Sequence, residues 1–357
     1  MTQTMDSTEG SASTSSRPRR TIKQRLLRLL IIGSLSLLGL LLLGLPSQAI
    51  ASAVDAARYP APGKLVDIGG YQLHINCTGA GSPTVILDAG LGGTSLDWSK
   101  VQPAVARFTR VCSYDRAGYG WSQTGPGPRT SQQIVTELHL LLANAKIHGP
   151  YVLVGHSAGG LNMRLYAYQY PAEVAGMVLL DATSEHQFAP FGAHPAYFPA
   201  QAVSAAAQVL QVYSVAAYFG VARLALQTGL APLEDFAAYP TAVKPVLLAQ
   251  VSQTRYYSTQ HDELAALQQS AAQVRAARQA SPSYGKLPLI VLSQDFSQDQ
   301  SAQGKQTAAM WDALQQDTAS LSSNSQHSVA QHSGHYIHLD RPDLAIGAIQ
   351  SVWKQAQ

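Results

Sequence analysis

A serine in a glycine-flanked turn is the residue best suited to chemistry in this chain. The pentapeptide Gly155-His156-Ser157-Ala158-Gly159 follows the apolar run 151–154 and precedes a segment of helical character that ends near Pro171. Gly-x-Ser-x-Gly between a strand and a helix is typical of a strained turn that exposes its serine, and a Cβ on either glycine would collide with neighbouring backbone. The pattern therefore predicts a nucleophile at Ser157. The alternative is a glycine-rich turn with a solvated serine.

A serine hydroxyl needs a base to take its proton and a third group to orient that base. Of the 11 histidines, His335 is best placed, because it lies in Ser333-Gly334-His335-Tyr336 between a short predicted strand and an amphipathic C-terminal helix. We interpret three nearby histidines as surface or loop residues: His327, His332 and His338. His335 is therefore the candidate general base.

Further segments, in the same order along the chain, make the sequence resemble the α/β-hydrolase superfamily from about Lys64 to the C-terminus. The segment 87–93, Leu-Asp-Ala-Gly-Leu-Gly-Gly, is similar to the family's loop after the third strand. The segment 114–122, Tyr-Asp-Arg-Ala-Gly-Tyr-Gly-Trp-Ser, resembles its turn after the fourth strand, and 333–342 resembles its histidine loop.

The resemblance also implies an oxyanion hole, formed by the backbone N–H groups of Leu91 and Ala158. Many members of the family carry His-Gly before this loop, whereas this chain has Ala89-Gly90. The donors are main-chain amides, so we expect them to survive that change.

The acid of the predicted triad has two main candidates, because the family places it after strand six or after strand seven. Asp181 ends the apolar run 177–180, and Asp295 follows the run 289–292. The usual Gly-x-x-Asp turn is absent before Asp295, and an aspartate at the position of Asp181 is often structural. Asp299 is a third candidate. The choice depends on which carboxylate contacts His335.

The order of elements predicts one α/β domain of the hydrolase fold, an eight-stranded and mainly parallel sheet flanked by helices. The first two strands are joined at Gly69-Gly70, which is typical of a hairpin. The predicted strands are 65–68, 71–77, 84–87, 111–114, 151–154, 177–180, 287–292 and 328–330. The catalytic domain is expected over 64–185 and 285–357.

Residues 186–284 are predicted to form a helical cap inserted between strands six and seven. Its aromatic residues are candidates for an apolar substrate pocket, although such rings more often pack a core: Phe188, Phe191, Tyr197, Phe198, Tyr213, Tyr218 and Phe219. The early part of the insertion has few charges. A small, uncharged and moderately hydrophobic ester-like substrate is therefore expected.

The N-terminus predicts export. Residues 1–25 are expected to be disordered and basic, 26–45 to form a transmembrane helix or signal anchor, and 46–63 to be a linker. The basic residues Arg17, Arg19, Arg20, Lys23, Arg25 and Arg28 precede an uncharged run from Leu29 to Leu45. The basic side is expected to stay in the cytoplasm, which makes the protein single-pass with an extracytoplasmic catalytic domain. The alternative is secretion after cleavage at Ser47-Gln48-Ala49.

The two cysteines agree with export. In the hydrolase sheet the second and fourth strands are antiparallel neighbours, so the resemblance implies a disulfide between Cys77 and Cys112 in an oxidising compartment. The alternative is two buried free thiols.

Charge and motif content exclude several classes. The chain carries 24 Lys+Arg and 21 Asp+Glu, but six of the basic residues lie in the first 28 positions, and no basic stripe for nucleic acid follows. Two cysteines are too few for a zinc cluster, so no metal is expected. The segment 90–93 lacks the Lys-Ser/Thr of a phosphate loop, and no dinucleotide fingerprint is present. No cofactor is predicted.

Together these features predict a serine hydrolase that cleaves a carboxylic ester through an acyl-enzyme. A peptidase or an acyltransferase on the same fold, and a non-catalytic binding protein on a hydrolase scaffold, are the alternatives. The sequence does not indicate an oligomeric state.

Overall fold

The computed structural model describes residues 21–231, 233 and 235–357. Of the stretch 1–25 that is predicted to be disordered and basic, residues 1–20, which include Arg17, Arg19 and Arg20, lie outside these residues, whereas residues 22–25 belong to a helix. An eight-stranded sheet in the order β1-β2-β4-β3-β5-β6-β7-β8 forms the centre of the described chain. The strands are β1 Lys64–Asp67, β2 Gln72–Thr78, β3 Thr84–Asp88, β4 Val111–Tyr114, β5 Tyr151–His156, β6 Val174–Leu180, β7 Leu289–Ser293 and β8 Ser325–Val329.

The first two strands join the sheet antiparallel, and every pairing from β4 through β8 is parallel. A parallel sheet is normally covered on both faces, and the inner strands β3, β5, β6 and β7 are accordingly mostly apolar and buried here. On β3, Ile86 packs into one core cluster, whereas Val85 and Leu87 pack into the other. The predicted eight-stranded, mainly parallel α/β-hydrolase sheet is confirmed.

The helices cover both faces of the sheet and form the insertion. Those at the N-terminus are α1 Ile22–Gly39 and α2 Leu45–Arg58, joined by a π-helical turn, Leu40–Gly44. Those of the sheet layers are α3 Gln102–Val105, α4 Ser131–Asn144, α5 Ala158–Gln169, α10 Ala302–Ala319, α11 Ile337–Asp340 and α12 Pro342–Gln355. Those of the insertion are α6 Ala200–Tyr218, α7 Val221–Thr228, α8 Lys244–Val251 and α9 Thr254–Ala280.

The insertion between β6 and β7 is helical, as the sequence predicts. Its long helix α9 packs against both α6 and α5, so it joins the insertion to the sheet layer. Because parallel strands end at the same edge, the segments after β5, β6 and β7 meet beneath this insertion. The division into a catalytic domain and a cap at residues 186 and 284 stays a prediction.

The N-terminal helix extends further than the sequence predicts. Residues 46–63 were expected to be a linker, but α2 continues to Arg58 and is docked on the insertion. Pro46 is tolerated there because the first turn of a helix has free N–H groups. The buried side chain of Gln48 donates to the carbonyl of Ser252 at 2.7 Å, and Arg223 pairs with Asp55 at 2.6 Å. These contacts stabilise the helical conformation of this segment. Its composition alone does not distinguish it from a linker.

In the described chain, one helical segment, Ile22–Arg58, is long and apolar enough to cross a membrane. The helices α6 and α7 are long and apolar enough to cross a membrane only when they are taken together. They are bent by 100° at the break between them.

Cys77 and Cys112 lie directly opposite each other on β2 and β4. The structure contains the disulfide between them, so the alternative of two free thiols is wrong for this pair.

Candidate active site

Ser157 occupies the sharp turn between β5 and α5. Its backbone has φ 51° and ψ −123°, a strained conformation for a residue with a side chain. A Cβ at Gly155 would lie 2.7 Å from the carbonyl oxygen of Gly159, and one at Gly159 would lie 2.6 Å from the carbonyl oxygen of Asp88. Both flanking glycines are therefore required by close backbone approach, as the motif predicts.

Asp181 follows β6 and contacts the ring of His335. Its Oδ2 lies 2.6 Å from His335 Nδ1, and the carboxylate is fully buried. The other oxygen, Oδ1, accepts hydrogen bonds from the backbone amide of Gln294 at 2.8 Å and from Trp311 Nε1 at 2.6 Å. These three partners fix both the carboxylate and the imidazole.

Asp295 and Asp299 have other partners. Asp295 is partly exposed and accepts from the amides of His332 and Ser297, and these hydrogen bonds lower its pKa. Asp299 accepts from the amide of Ser301. Of the three candidate carboxylates, the structure brings Asp181 to His335 and places the other two in the loop after β7.

A cluster of histidines places the His335 loop beside the serine turn. His156, which precedes Ser157, has its Nε2 2.9 Å from the carbonyl oxygen of His335, and their ring centroids are 4.6 Å apart. His338 packs against the other side of His156 at 4.5 Å and against Trp98 at 4.7 Å. The interpretation of His338 as a surface or loop residue is wrong, because it is completely buried.

Burial keeps the two inner histidines neutral. It lowers the pKa of His156 well below its usual value, and the neighbouring His338 and His335 lower it further. The pKa of His338 falls to about 3 for the same reasons, burial first and then His335. A neutral His156 that donates from Nε2 is a structural support for the His335 loop.

The loop that carries Leu91 is held by a buried guanidinium. Arg116 donates to the carbonyl oxygens of Ala89 and Gly90 at 2.7 and 2.6 Å and to Asp88 at 2.8 Å. Its remaining N–H groups donate to Glu263 of α9 at 2.8 and 3.1 Å. All five donors of this arginine are used. Arg116 lies in the segment 114–122, whose sequence does not indicate this function.

Removing the charge of Glu263 is expected to destabilise the fold. Breaking a buried ion pair leaves the remaining charge uncompensated, and we expect Glu263→Gln to lower the free energy of unfolding by about 3 kcal/mol. Asp262→Asn is the matched control, because the neighbouring side chain is 55 % exposed and pairs only with His261. We expect the control to change stability by less than ~1 kcal/mol. Urea denaturation of both variants measures the difference, and equal midpoints would contradict a stabilising function of this pair.

Two cavities meet at Leu91. The larger, of about 550 Å³, contains Ser157, and its described lining has no Asp, Glu, Lys or Arg and is mostly apolar: Leu91, Ala158, Phe198, Leu210, Leu264 and Leu267. The smaller, of about 180 Å³, is lined by Leu91, Asp97, Tyr239, Tyr256, Tyr257 and Tyr336. Gln260 lines both. The site thus has an apolar compartment and a hydroxyl-rich compartment on two sides of one loop.

Asp97 is the carboxyl group of the smaller cavity. It accepts from the Tyr239 hydroxyl at 3.0 Å, and burial raises its pKa to about 7. No feature of the sequence indicates this position of Asp97, since a single aspartate after a glycine-rich loop is not diagnostic.

The aromatic residues predicted to form a pocket mostly pack elsewhere. Phe198 lines the larger cavity. Four of the other rings pack on aromatic neighbours: Phe188 on Phe198, Tyr197 on Trp311, Phe191 on His186 and Tyr213 on Tyr257. Tyr218 is exposed, and Phe219 lies next to Gly44. Packing within the insertion accounts for most of these rings.

One group of side chains has the composition of a metal site, namely Glu185, His186 and Asp317. The guanidinium of Arg278 lies among them, 3.0 Å from Glu185 Oε1 and 2.6 Å from Asp317 Oδ2. The position that a cation would take is therefore occupied by a side chain that is itself positive. We interpret the group as an ion-pair network that fastens α9 and α10 to the end of β6.

A family model described as "alpha/beta hydrolase fold" matches residues 83–342. The chain is 34 % identical to the uncharacterized protein YqjL of Bacillus subtilis over 119 residues, which are 33 % of this chain and 47 % of YqjL. The chain therefore spans about half the length of this relative.

Two solved structures share the fold but differ in their reactions. A thermophilic esterase from Thermogutta terrifontis is 19 % identical, with a TM-score of 0.58 over 82 % of this chain and 98 % of that one. The Cif epoxide hydrolase from Acinetobacter nosocomialis is 12 % identical, with a TM-score of 0.65 over 86 % and 96 %. At these identities the likeness shows the fold alone. The family match, which covers most of the chain, and the eight-stranded sheet show that this protein belongs to the alpha/beta hydrolase fold family.

Proposed function

We propose that the protein is a serine hydrolase that cleaves carboxylic esters, with Ser157, His335 and Asp181 as its triad. The observation that carries the proposal is the 2.6 Å contact between the buried Asp181 carboxylate and His335 Nδ1, in a loop that packs on the residue before Ser157. This is the arrangement in which an acid orients an imidazole as a base for a serine.

The reaction follows from these positions. Ser157 Oγ attacks the ester carbonyl while His335 Nε2 takes its proton, which forms a tetrahedral oxyanion. The imidazolium returns the proton to the departing alcohol, and the C–O bond to that alcohol breaks to leave an acyl-enzyme. Water, deprotonated by His335, then releases the acid and regenerates Ser157. Asp181 accepts a hydrogen bond from His335 Nδ1 throughout and stabilises the imidazolium.

The amides of Leu91 and Ala158 are the proposed oxyanion donors. Both residues line the cavity that contains Ser157. The hydrogen bonds from Arg116 to the carbonyls of Ala89 and Gly90 hold the first donor in place before substrate arrives. Preorganised donors of this kind are worth about 10²–10³-fold in rate each.

The two cavities favour an uncharged ester with an apolar acyl chain. The described residues that line the larger cavity are uncharged and mostly apolar, so this cavity suits the acyl chain. The smaller one presents phenol hydroxyls and the Asp97 carboxyl across Leu91, which suits the alcohol half. A serine at the turn, where epoxide hydrolases carry aspartate, supports an ester substrate over an epoxide.

We also propose that the N-terminal helix anchors the protein in a membrane, with the catalytic domain outside the cytoplasm. The basic residues that precede Leu29, some of them in the first turns of α1, favour this orientation. The Cys77–Cys112 disulfide supports it, since such bonds persist in oxidising compartments. Secretion after cleavage near residue 49 is the alternative.

Labelling with a fluorophosphonate probe tests the proposed function. The probe reacts with serines that are activated by a base, so we expect the folded full chain to be labelled once, on the peptide that contains Ser157. Heat-denatured protein should not react. Absence of labelling in protein with a native circular dichroism spectrum would favour a binding protein on a hydrolase scaffold, and labelling of another serine would disprove the assignment of the nucleophile.

A further inference from the structure

Seven large apolar side chains are exposed on one region of the helical insertion. They lie on α6, α7 and the turn that follows α7, and we call them the cap apolar face: Val209, Val212, Val215, Tyr218, Val221, Leu224 and Leu230. Val212 is 70 % exposed and Leu230 is 83 % exposed. Large exposed apolar patches on soluble proteins generally mark a protein or membrane interaction site.

The surroundings of the cap apolar face are almost free of charge. Residues 187–222 contain no Asp, Glu, Lys or Arg. The next residue, Arg223, donates to Asp55 and Gln48 of α2. The polar residues exposed beside the valines of α6 are neutral, such as Gln208 and Gln211. Among the described residues of α6 and α7, moving this surface into a lipid headgroup region therefore buries no unpaired charge.

The N-terminal helix leaves the domain beside this face. Gly44, at the end of its apolar run, lies so close to the corner between α6 and α7 that a Cβ there would be 2.8 Å from the carbonyl oxygen of Phe219. The next turns of that helix are fixed to the insertion by Gln48 and Asp55. A bilayer spanned by the preceding residues would therefore begin at this corner, which Tyr218 and Val221 flank.

The same face borders the proposed substrate cavity. Val209 lines the cavity that contains Ser157 and is also 54 % exposed in the cap apolar face. Its neighbours on α6, Ala206 and Leu210, line that cavity too. The cavity thus reaches the surface where the insertion is most apolar.

We propose that the cap apolar face lies in the surface of the lipid bilayer that the N-terminal helix spans, and that the substrate is an ester dissolved in this bilayer, which enters the cavity past Val209. The docking rests on the proposed membrane anchor, and the route of the substrate rests on the proposed ester hydrolysis. The acyl chain passes from lipid into an apolar cavity without crossing water.

A depth measurement tests the docking. Both native cysteines are in a disulfide, so Val212→Cys introduces a single free thiol for an NBD fluorophore. In full-length protein reconstituted in phosphatidylcholine/phosphatidylglycerol nanodiscs, we expect blue-shifted emission and quenching by doxyl-labelled lipid. Val329→Cys is the control, because this exposed valine lies on β8, outside the insertion, and its fluorophore should be quenched only by aqueous iodide.

Two results would overturn the docking. Iodide quenching of the Val212 fluorophore without lipid quenching would place the face in water. A blue shift that grows with the number of protein copies per disc, without lipid quenching, would assign the face to contact with a second copy of this chain.

An activity comparison tests the route of the substrate. We expect the double variant Val212→Glu/Val215→Glu to hydrolyse 4-methylumbelliferyl oleate in nanodiscs at least tenfold more slowly than the wild type, with the soluble acetate ester cleaved within twofold of the wild-type rate. Val329→Glu should retain both activities. Equal effects on the two esters, or none, would overturn the route. A wild type inactive on both esters would instead disprove ester hydrolysis, and the depth measurement would still decide the docking.

Discussion

Replacing Ser157 with alanine is expected to lower kcat for hydrolysis of a soluble ester such as p-nitrophenyl butyrate by about 10⁴–10⁶-fold. The substitution removes the atom that forms the acyl-enzyme, and the imidazole of His335 then has no nucleophile to activate. A residual rate above the uncatalysed reaction is expected, because the amides of Leu91 and Ala158 still stabilise an oxyanion formed by water.

The stability of this variant should be close to that of the wild type. Alanine keeps the Cβ and thus experiences the same strain at φ 51°, and the amide of residue 157 still donates to the carbonyl of Leu180. Ser184→Ala is the matched control, since Ser184 is a buried serine on the loop after β6. Its hydroxyl oxygen accepts a hydrogen bond from the amide of His186. Loss of activity in both variants, or in neither, would contradict the assignment of Ser157.

The sequence predicts the parts of the site that depend on local backbone. A Cβ at Gly155 would collide within its own turn, and one at Gly159 would collide with the end of the neighbouring strand β3. The apolar runs before Ser157 and Asp181 predict β5 and β6 directly. The strand order of the hydrolase fold then brings Cys77 opposite Cys112. Each of these inferences depends on short-range geometry or on a fixed strand order.

The sequence does not predict contacts that join distant segments. Arg116 meets Glu263 across 147 positions, and Gln48 meets Ser252 across 204. Ile337 and Leu339 flank His338 and favour its burial, but they do not show that its partner is His156. The contacts of side chains whose partners lie in the insertion depend on how the insertion packs. Hydrophobic periodicity in the sequence does not predict that packing.

The choice between the two acids illustrates the same limit. Both aspartates follow buried strands, and neither flanking sequence shows which carboxylate faces His335. What separates them is the indole of Trp311, which comes from α10 and donates to Asp181. Asp295 has instead the amides of its own loop and of His332 as partners.

Asp181→Asn is expected to lower kcat by about 10³–10⁴-fold with little change in KM. The carboxylate accepts from Gln294, Trp311 and His335 at once, and an amide has only one oxygen for these donors. If that oxygen keeps the first two, the amide NH₂ faces His335 Nδ1 and forces the ring proton onto Nε2. An imidazole protonated at Nε2 cannot take a proton from Ser157, so the loss falls on the chemical step.

Asp295→Asn makes the same chemical change in the exposed loop after β7 and is the matched control. We expect its kcat within about threefold of the wild type, since surface substitutions seldom have large effects. Steady-state kinetics with p-nitrophenyl butyrate, together with melting temperatures of both variants, distinguish the two carboxylates. The proposed acid would be wrong if Asp295→Asn lost activity while Asp181→Asn kept it. Equal, small effects would show that no aspartate orients His335, and the interpretation of the 2.6 Å contact as catalytic would then fail.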